Sequence, residues 1–198
     1  MPYSSNTFDN VLSDHIYRLS PEKVLDVGSG SGKNGNIVKK INPNIILEGI
    51  EPTEKYIEEY NLNLIYNKIY HKDIQAFSKE DSKNRYDVVI IGDVLEHLFR
   101  TEVVDYLDYF LYRTKWLIAI WPTNLPQDDS EENHYEIHKN NFTLNDLTSK
   151  FNVVYYVSNF GGWHNDPKIE PCYFHYCVIK GHLSPKDKFV YNFPNWIK

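Results

Sequence analysis

The chain has 198 residues and a formal net charge of −6, and 41% of its residues are hydrophobic. Such a length suits a single domain with a sizeable core. The sequence has no run approaching the ~18 apolar residues of a membrane-spanning helix, and its lysines, scattered without a basic block, argue against a large nucleic-acid-binding surface. Residues 1–6 do not resemble a signal peptide, so we expect a cytoplasmic protein with no membrane partner.

Strands and helices are predicted to alternate along most of the chain. The strands are short apolar runs, and the helices show apolar residues at intervals of three and four. Pro21 is predicted to end the first helix, Thr53 to cap the third, and Pro122 to stop the fifth strand. In chain order we predict a helix at 7–19, a strand at 24–27, a helix around 37–41, a strand at 45–51, a helix from 53 to about 62, strands at 64–70 and 86–91, a helix from the segment 93–97 to about 112, a strand at 116–121, a helix at 144–151 and strands at 153–157 and 173–179.

This alternation predicts an α/β fold. Strands that alternate with helices form right-handed crossovers and a parallel sheet that is covered on both faces. The last two strands have no helix between them, because Gly161, Gly162, Pro167 and Pro171 interrupt that segment, so they should pair as an antiparallel hairpin. We therefore predict a Rossmann-like, doubly wound sheet, mostly parallel with a terminal antiparallel strand. The single domain 1–198 divides into an N-terminal helix (1–20), a core (23–182) and an aromatic tail (183–198).

The aromatic tail and the two cysteines bear on the oligomeric state and on disulfide formation. The tail is apolar enough to dock, either on its own core or as a dimer contact, so the protein is expected to be a monomer or a homodimer. Cys172 and Cys177 lie five residues apart in a predicted strand and point to opposite faces. They are poor disulfide partners, which fits a reducing cytoplasm.

A glycine-rich turn after the first strand is the strongest motif. A P-loop would need glycine where Val27 stands and Ser or Thr where Asn34 stands, so that reading fails. The dinucleotide fingerprint G-x-G-x-x-G fits only when it is counted from Gly30, two residues beyond the turn. A plain strand-to-helix turn leaves Asp26 unexplained, because a carboxylate inside an apolar strand costs several kcal/mol unless it is satisfied.

A third pattern, acid-x-Gly-x-Gly-x-Gly, is met in full by Asp26, Gly28, Gly30 and Gly32. With this motif the chain resembles the class I, Rossmann-like S-adenosylmethionine-dependent methyltransferases. The resemblance covers residues 23–122 by motif and extends to 182 by element order. It implies the seven-stranded methyltransferase fold and S-adenosyl-L-methionine as cofactor.

Acidic residues follow the ends of the predicted strands, where ligands of open α/β sheets bind. Glu51 lies about 20 residues beyond the glycine turn, where an acid can accept from ribose hydroxyls, and it disfavours the 2′-phosphate of NADP. The resemblance implies that Asp73 accepts from the adenine amino group with Ile74 beside the ring, and that Asp93 and Asp26 face the methionine ammonium. A cationic sulfonium suits this acidic rim better than the pyrophosphate of NAD does.

Three histidines are the candidate catalytic residues. His97 is the first candidate base, although a capping or packing role stays open. His134 and His138 lie in the polar loop after the fifth strand, which is either a lid over the acceptor pocket or a solvated loop. No residue is assigned as a metal ligand in this interpretation.

Two absent motifs narrow the substrate. Related enzymes that methylate amino groups of DNA bases usually carry an Asp/Asn-Pro-Pro-aromatic motif after the fourth strand, where this chain has Gly92-Asp93-Val94-Leu95. Enzymes that methylate cytosine at C5 need a Pro-Cys pair after that strand, and the Pro171–Cys172 pair of this chain comes too late. We therefore expect methyl transfer to oxygen or nitrogen of a small molecule or glycan precursor. The segment from Tyr135 to Thr143 is similar to one in small bacterial and viral methyltransferases associated with surface-glycan or secondary metabolism.

Two alternatives stay open. Asp93, Glu96, His97 and His138 could hold Mg²⁺ or Mn²⁺. This set loosely resembles that of small-RNA 3′-end ribose 2′-O-methyltransferases. The other alternative is a non-catalytic subunit that keeps the cofactor site and has lost the acceptor pocket.

Overall fold

A computed structural model describes residues 5–80, 83–127, 133–164 and 170–184. Within these residues the strands are β1 (Lys23–Val27), β2 (Ile46–Glu51), β3 (Lys68–His71), β4 (Tyr86–Gly92), β5 (Thr114–Thr123), β6 (Val153–Gly162) and β7 (Cys172–Lys180). The helices are α1 (Asp9–Leu19), α2 (Lys33–Ile41), α3 (Glu54–Glu59), α4 (Leu62–Ile65), α5 (Ile74–Glu80), α6 (Arg100–Leu111) and α7 (Leu144–Thr148). Short 3₁₀ turns lie at Asn6–Phe8, Leu95–His97 and His134–Glu136.

The strands form one sheet in the order β3-β2-β1-β4-β5-β7-β6. The β1, β2, β3, β4 and β5 strands pair in parallel, whereas β7 runs antiparallel to both β5 and β6. The predicted mostly parallel sheet and its terminal antiparallel hairpin are therefore confirmed. Because the central strands are covered by helices on both faces, they are mostly apolar, and Asp26 in β1 is an exception.

The two faces of the sheet have separate cores. One core packs helices α1, α2, α3 and α4 against the sheet through Leu12, Ile16, Val38, Ile57 and Leu62. The other packs α5, α6 and α7 through Phe77, Val103, Leu107, Phe110 and Leu147. Neighbouring residues of β1 point into opposite cores, Val24 into the first and Leu25 into the second, as the alternation of a strand requires. This packing fixes the ends of the strands that carry the site.

The prediction of a third strand at 64–70 was partly wrong. Residues 62–65 form helix α4, and the strand begins only at Lys68. Asn61, directly before α4, takes a left-handed backbone conformation (φ 50°) that separates α4 from α3. Leu62 is then fully buried while Leu64 is 87% exposed, so the apparent alternation of apolar residues belongs to one short helical turn.

Pro122, predicted to end the fifth strand, and Thr53, predicted to cap the third helix, act differently from the prediction. Pro122 lies inside β5, because the ladder with β4 ends at the pair Gly92 and Ile120, and beyond it only β7 pairs with this part of the strand. A strand with one neighbour tolerates the missing N–H of proline. Thr53 stands before α3, but within the described residues its side chain makes no capping hydrogen bond.

For the helix after β4, the predicted end near residue 112 agrees with the structure, but the predicted start at the segment 93–97 was wrong. Asp93 has a positive φ of 51°, and Leu95–His97 form an isolated 3₁₀ turn, so α6 starts only at Arg100. The aromatic tail beyond residue 184 lies outside the described residues. Cys172 and Cys177 are both free and buried within the described part. No described helix is long and apolar enough to cross a membrane.

Candidate functional site

The glycine turn between β1 and α2 is held against the end of β2. The backbone N–H groups of Gly28 and Ser29 both donate to the carbonyl of Ile50, at 3.0 Å each. Gly28, Gly30 and Gly32 have φ values of 73°, 50° and 77°, which glycine adopts without strain. A Cβ on Gly28 would also lie 2.3 Å from Cγ2 of Val94. The turn therefore needs glycine both for its conformation and for its close approach to the segment after β4.

Glu51, the last residue of β2, is buried beside this turn. Its Oε2 accepts from the N–H of Gly30 at 2.8 Å, and its Oε1 accepts from the N–H of Thr53 at 2.9 Å. Burial raises the pKa of Glu51, and the two backbone donors oppose that effect. Each carboxylate oxygen still has acceptor capacity beyond the one backbone bond that it makes. The glycine turn and the start of α3 thus hold this carboxylate in one orientation.

Asp26 lies beneath the turn and is fully buried. Tyr66 donates from its hydroxyl to Oδ2 at 2.6 Å, and Asn34 donates from Nδ2 to Oδ1 at 3.5 Å. Burial raises the pKa of Asp26 to about 7, although both hydrogen bonds lower it. A Cβ on Gly35 would lie 2.5 Å from the Tyr66 hydroxyl, so the glycine leaves room for the tyrosine to reach the acid. Sequence reasoning missed Tyr66.

A cavity of about 340 Å³ opens at the carboxyl ends of the parallel strands. Six of the eight predicted cofactor residues line it: Gly28, Gly30, Glu51, Asp73, Ile74 and Asp93. Asp26 supports the turn from below, and Gly32 is the N-cap residue directly before α2. The sheet therefore brings together residues from four separate strand ends, as expected for an open α/β sheet.

Asp73 and Ile74 form the wall of the cavity beyond β3. Oδ1 of Asp73 accepts from the N–H of Ala76 at 2.6 Å, in the first turn of α5. Burial and the adjacent Asp73 raise the pKa of Tyr135, whose side chain hydrogen-bonds to that carboxylate. This part of the cavity combines an apolar side chain with a fixed acceptor.

Residues 133–140 cross the mouth of the cavity. Tyr56 of α3 donates from its hydroxyl to Oε1 of Glu136 at 3.1 Å, and Gln127 donates from Nε2 to the Glu136 carbonyl at 2.8 Å. On the other side, Asn140 donates from Nδ2 to the carbonyls of Leu95 and Leu98, at 2.8 and 2.5 Å. The segment is therefore attached to both walls, in the arrangement expected of a lid. Sequence reasoning missed both Gln127 and Tyr56, and Tyr56 is 80 residues from Glu136 in the chain.

The structure brings together two of the three candidate catalytic histidines. The rings of His97 and His138 meet edge to face with 4.8 Å between centroids. Burial, and then the neighbouring His138, lower the pKa of His97 to about 4, and burial lowers the pKa of His138. His134 also lines the cavity, but it is exposed and its ring packs on Tyr135 instead.

Glu96 lies beside this histidine pair and is only 2% exposed. Its Oε1 is 3.9 Å from Nε2 of His97. Burial, together with the charge of Asp93, raises the pKa of Glu96 well above its usual range. The cavity is thus lined by Glu51 and Asp73 as well as by the group of Glu96, His97 and His138.

Comparison with known proteins finds similarity in structure only. No protein-family model matches the chain, and no curated protein matches it in sequence. A methyltransferase from Clostridium acetobutylicum, described as S-adenosylmethionine-dependent, is 10% identical, with a TM-score of 0.62 over 87% of this chain and 90% of that one. The plantazolicin methyltransferase BpumL, solved with S-adenosylhomocysteine (SAH), is 17% identical, with a TM-score of 0.59 over 89% and 86%.

A third similar structure is TehB from Haemophilus influenzae, at 18% identity and a TM-score of 0.63. That match covers 87% of this chain and 62% of TehB. All three neighbours match this chain in structure at identities below one in five. The chain therefore has the class I methyltransferase fold.

Proposed function

We propose that this chain is an S-adenosylmethionine-dependent methyltransferase that acts on oxygen or nitrogen of a small molecule or glycan precursor. One observation supports this most: the glycine turn, Glu51 and Asp73 form one cavity at the carboxyl edge of a sheet with the class I methyltransferase fold. A protein that used this edge only for structure would have no need of a buried carboxylate held by two backbone donors.

The residues of this cavity fit an adenosine. The carboxylate of Glu51 is fixed by Gly30 and Thr53, and its remaining lone pairs can accept from the two hydroxyls of a ribose. Asp73 offers an acceptor for an exocyclic amino group, and Ile74 offers an apolar surface for a ring. The glycine turn allows the ligand to approach the backbone closely, since Gly28 and Gly30 have no side chains.

The charge of the cavity suits a cationic ligand. Glu51, Asp73, Asp93, Glu96 and Glu136 all line it. Lys139 also lines the cavity, and its ammonium lies over the ring of Phe99. A sulfonium and an ammonium group are attracted to this acidic lining, whereas the phosphates of a dinucleotide would be repelled. This argument favours S-adenosylmethionine over NAD.

Bound S-adenosylmethionine supplies an electrophilic methyl group that moves in line from sulfur to the acceptor. The side chains of this protein contribute position and exclusion of water. The lid at 133–140 covers the cavity through Tyr56 and Asn140. His97, His134 and His138 line the same cavity. We propose that they contact the acceptor, and that any proton it loses passes to a neutral imidazole or to water.

A transfer assay with radiolabelled S-adenosylmethionine tests this proposal. We expect label in small-molecule or glycan acceptors, and we expect Asp73→Ala to reduce the transfer while Asp105→Asn, an exposed change on α6, leaves it unaltered. Cofactor binding without transfer to any acceptor would favour the non-catalytic subunit. Transfer only to RNA with a free 3′-terminal ribose would favour the RNA alternative. An absence of cofactor binding would contradict all three.

A further inference from the structure

Three side chains that line the cavity come together from two distant parts of the chain. Glu96 and His97 lie on the 3₁₀ turn after β4, and His138 lies in the lid segment. One ligand atom from each falls within 4.8 Å of the other two. Metal–ligand distances of about 2.0–2.2 Å place the ligand atoms roughly 3 Å apart, so small side-chain rotations would bring all three ligand atoms onto one ion.

Glu96 is the least explained of the three. The residue is almost completely buried, and its Oε2 has no hydrogen-bond partner among the described residues. A buried carboxylate oxygen without a partner costs free energy, and proteins normally satisfy it with a donor or a cation. This oxygen therefore has the environment of a ligand atom.

Hydrogen bonds to backbone carbonyls orient both histidines. Nδ1 of His97 lies 3.2 Å from the carbonyl of Ile137, and Nδ1 of His138 hydrogen-bonds to the carbonyl of Leu125. A carbonyl can only accept, so each Nδ1 carries the proton and each Nε2 keeps a free lone pair. Metal-bound histidines usually show this pattern, in which the outer nitrogen donates to a carbonyl and the inner one binds the ion.

We propose that Glu96, His97 and His138 bind a divalent transition-metal ion in the wall of the cavity. Two imidazoles and one carboxylate favour Mn²⁺, Fe²⁺, Co²⁺ or Zn²⁺ over Mg²⁺, which prefers oxygen ligands alone. The main sequence interpretation assigned no metal ligands, but the metal-binding alternative that it left open named these three residues together with Asp93. Asp93 is not part of the three-residue group, although its charge acts on Glu96.

Three protein ligands leave coordination positions open to the cavity. A metal ion there would bind an oxygen atom of the acceptor and lower the pKa of a bound hydroxyl group. Its proton would then pass to water, because His97 and His138 would be occupied as ligands. This role rests on the proposed methyltransferase function, whereas binding of the ion does not. The site therefore favours a hydroxyl group over an amine as the methyl acceptor.

Titration of the EDTA-treated protein with Co²⁺ and Zn²⁺, followed by visible absorption and calorimetry, tests the site. We expect one ion per chain, and affinity at least tenfold lower in both Glu96→Gln and His138→Ala. His134→Ala is the matched control, because it removes a histidine from the same lid without removing one of the three ligands, and it should bind the ion as the wild type does. Circular dichroism of each variant shows whether it is folded.

Loss of affinity in His138→Ala alone supports the site if Glu96→Gln does not fold. The absence of a bound ion in the wild type, or equal binding by wild type and His138→Ala, would overturn the inference. A parallel titration with SAH separates the two proposals. SAH binding without metal binding would overturn only this inference, whereas metal binding without SAH binding would overturn the methyltransferase proposal and leave the metal site.

Discussion

Glu51 connects the glycine turn to the start of α3 while it lines the cavity. Its two backbone donors, Gly30 and Thr53, come from opposite sides of the carboxylate. The position of an acid about 20 residues after a glycine turn can be read from the sequence. The orientation of its two oxygens cannot be predicted in this way, because it depends on where the turn and α3 begin in space.

Replacing Glu51 by Gln tests its role toward the ribose. The amide keeps the size of the side chain but has one acceptor oxygen instead of two. Hydrogen bonds to charged groups contribute about 1.5–3 kcal/mol, so we expect SAH to bind roughly 10- to 100-fold more weakly. The measurement is calorimetry, with exposed Glu54→Gln on α3 as the control. Equal affinity in both variants would show that Glu51 does not contact the ligand.

Asp26 gives a prediction about pH and stability. Its pKa is about 7 in the folded protein against 3.8 in the unfolded chain, so the folded state binds more protons between these values. The stability that this proton provides is complete below about pH 4 and is lost as the pH rises through 7. Relative to Asp26→Asn, which cannot titrate, we therefore expect the wild type to lose stability on the order of a few kcal/mol from pH 4 to 8.

Urea unfolding across this pH range measures the difference between the two proteins. Exposed Asp105→Asn serves as the control and should follow the wild type at each pH. A constant difference between wild type and Asp26→Asn from pH 4 to 8 would contradict the raised pKa. Sequence reasoning identified Asp26 as costly to bury, but it could not choose Tyr66 as its partner, since the chain contains 16 tyrosines.

At the scale of elements, the glycine turn depends on the segment that follows β4. A side chain at position 28 would meet Cγ2 of Val94 and would also need a positive φ. The turn itself was predictable, because its glycines follow an apolar strand. The contact with Val94 was not, because it depends on the pairing of β1 with β4, about 65 residues later in the chain.

We expect Gly28→Ala to destabilise the protein by about 1–3 kcal/mol through overpacking and backbone strain. Val94→Ala removes the colliding methyl group and should recover part of this loss in the double variant, leaving only the strain. A double-mutant cycle of unfolding free energies measures the coupling. Strictly additive effects of the two changes would contradict the described contact.

The lid is the second element whose attachment can be tested. Asn140 donates to two carbonyls of the turn that carries Glu96 and His97. Asn140→Ala leaves these carbonyls without that donor, at about 1–3 kcal/mol, so we expect faster amide hydrogen exchange in residues 133–140. Exposed Asn145→Ala on α7 is the control. Unchanged exchange in the Asn140 variant would show that the segment is held by other contacts.

Other element boundaries show where sequence patterns fail. Pro122 was expected to stop β5, but a proline is tolerated once the neighbouring ladder has ended. The segment after β4 was expected to begin a helix, but the positive φ of Asp93 separates it from α6. Both outcomes depend on contacts between strands, whereas a local pattern records only the preference of the segment itself.

At the scale of the whole molecule, two features of the sequence were enough to predict which strands run parallel and which run antiparallel. Alternation of strands and helices predicted the parallel part, and the absence of a helix between β6 and β7 predicted the antiparallel hairpin. The placement of β7 between β5 and β6 has a functional consequence, because Phe174 of β7 reaches the cavity beside β5. The cavity thus combines a residue of the antiparallel hairpin with residues at the ends of the parallel strands.

The central claim is that the carboxyl edge of this sheet binds an adenosyl sulfur compound. Calorimetric titration with SAH, and separately with NADH, tests it most directly. The account predicts binding of one SAH per chain, weakened by Asp73→Ala, and much weaker binding of NADH. Heat of binding with NADH and none with SAH would contradict it.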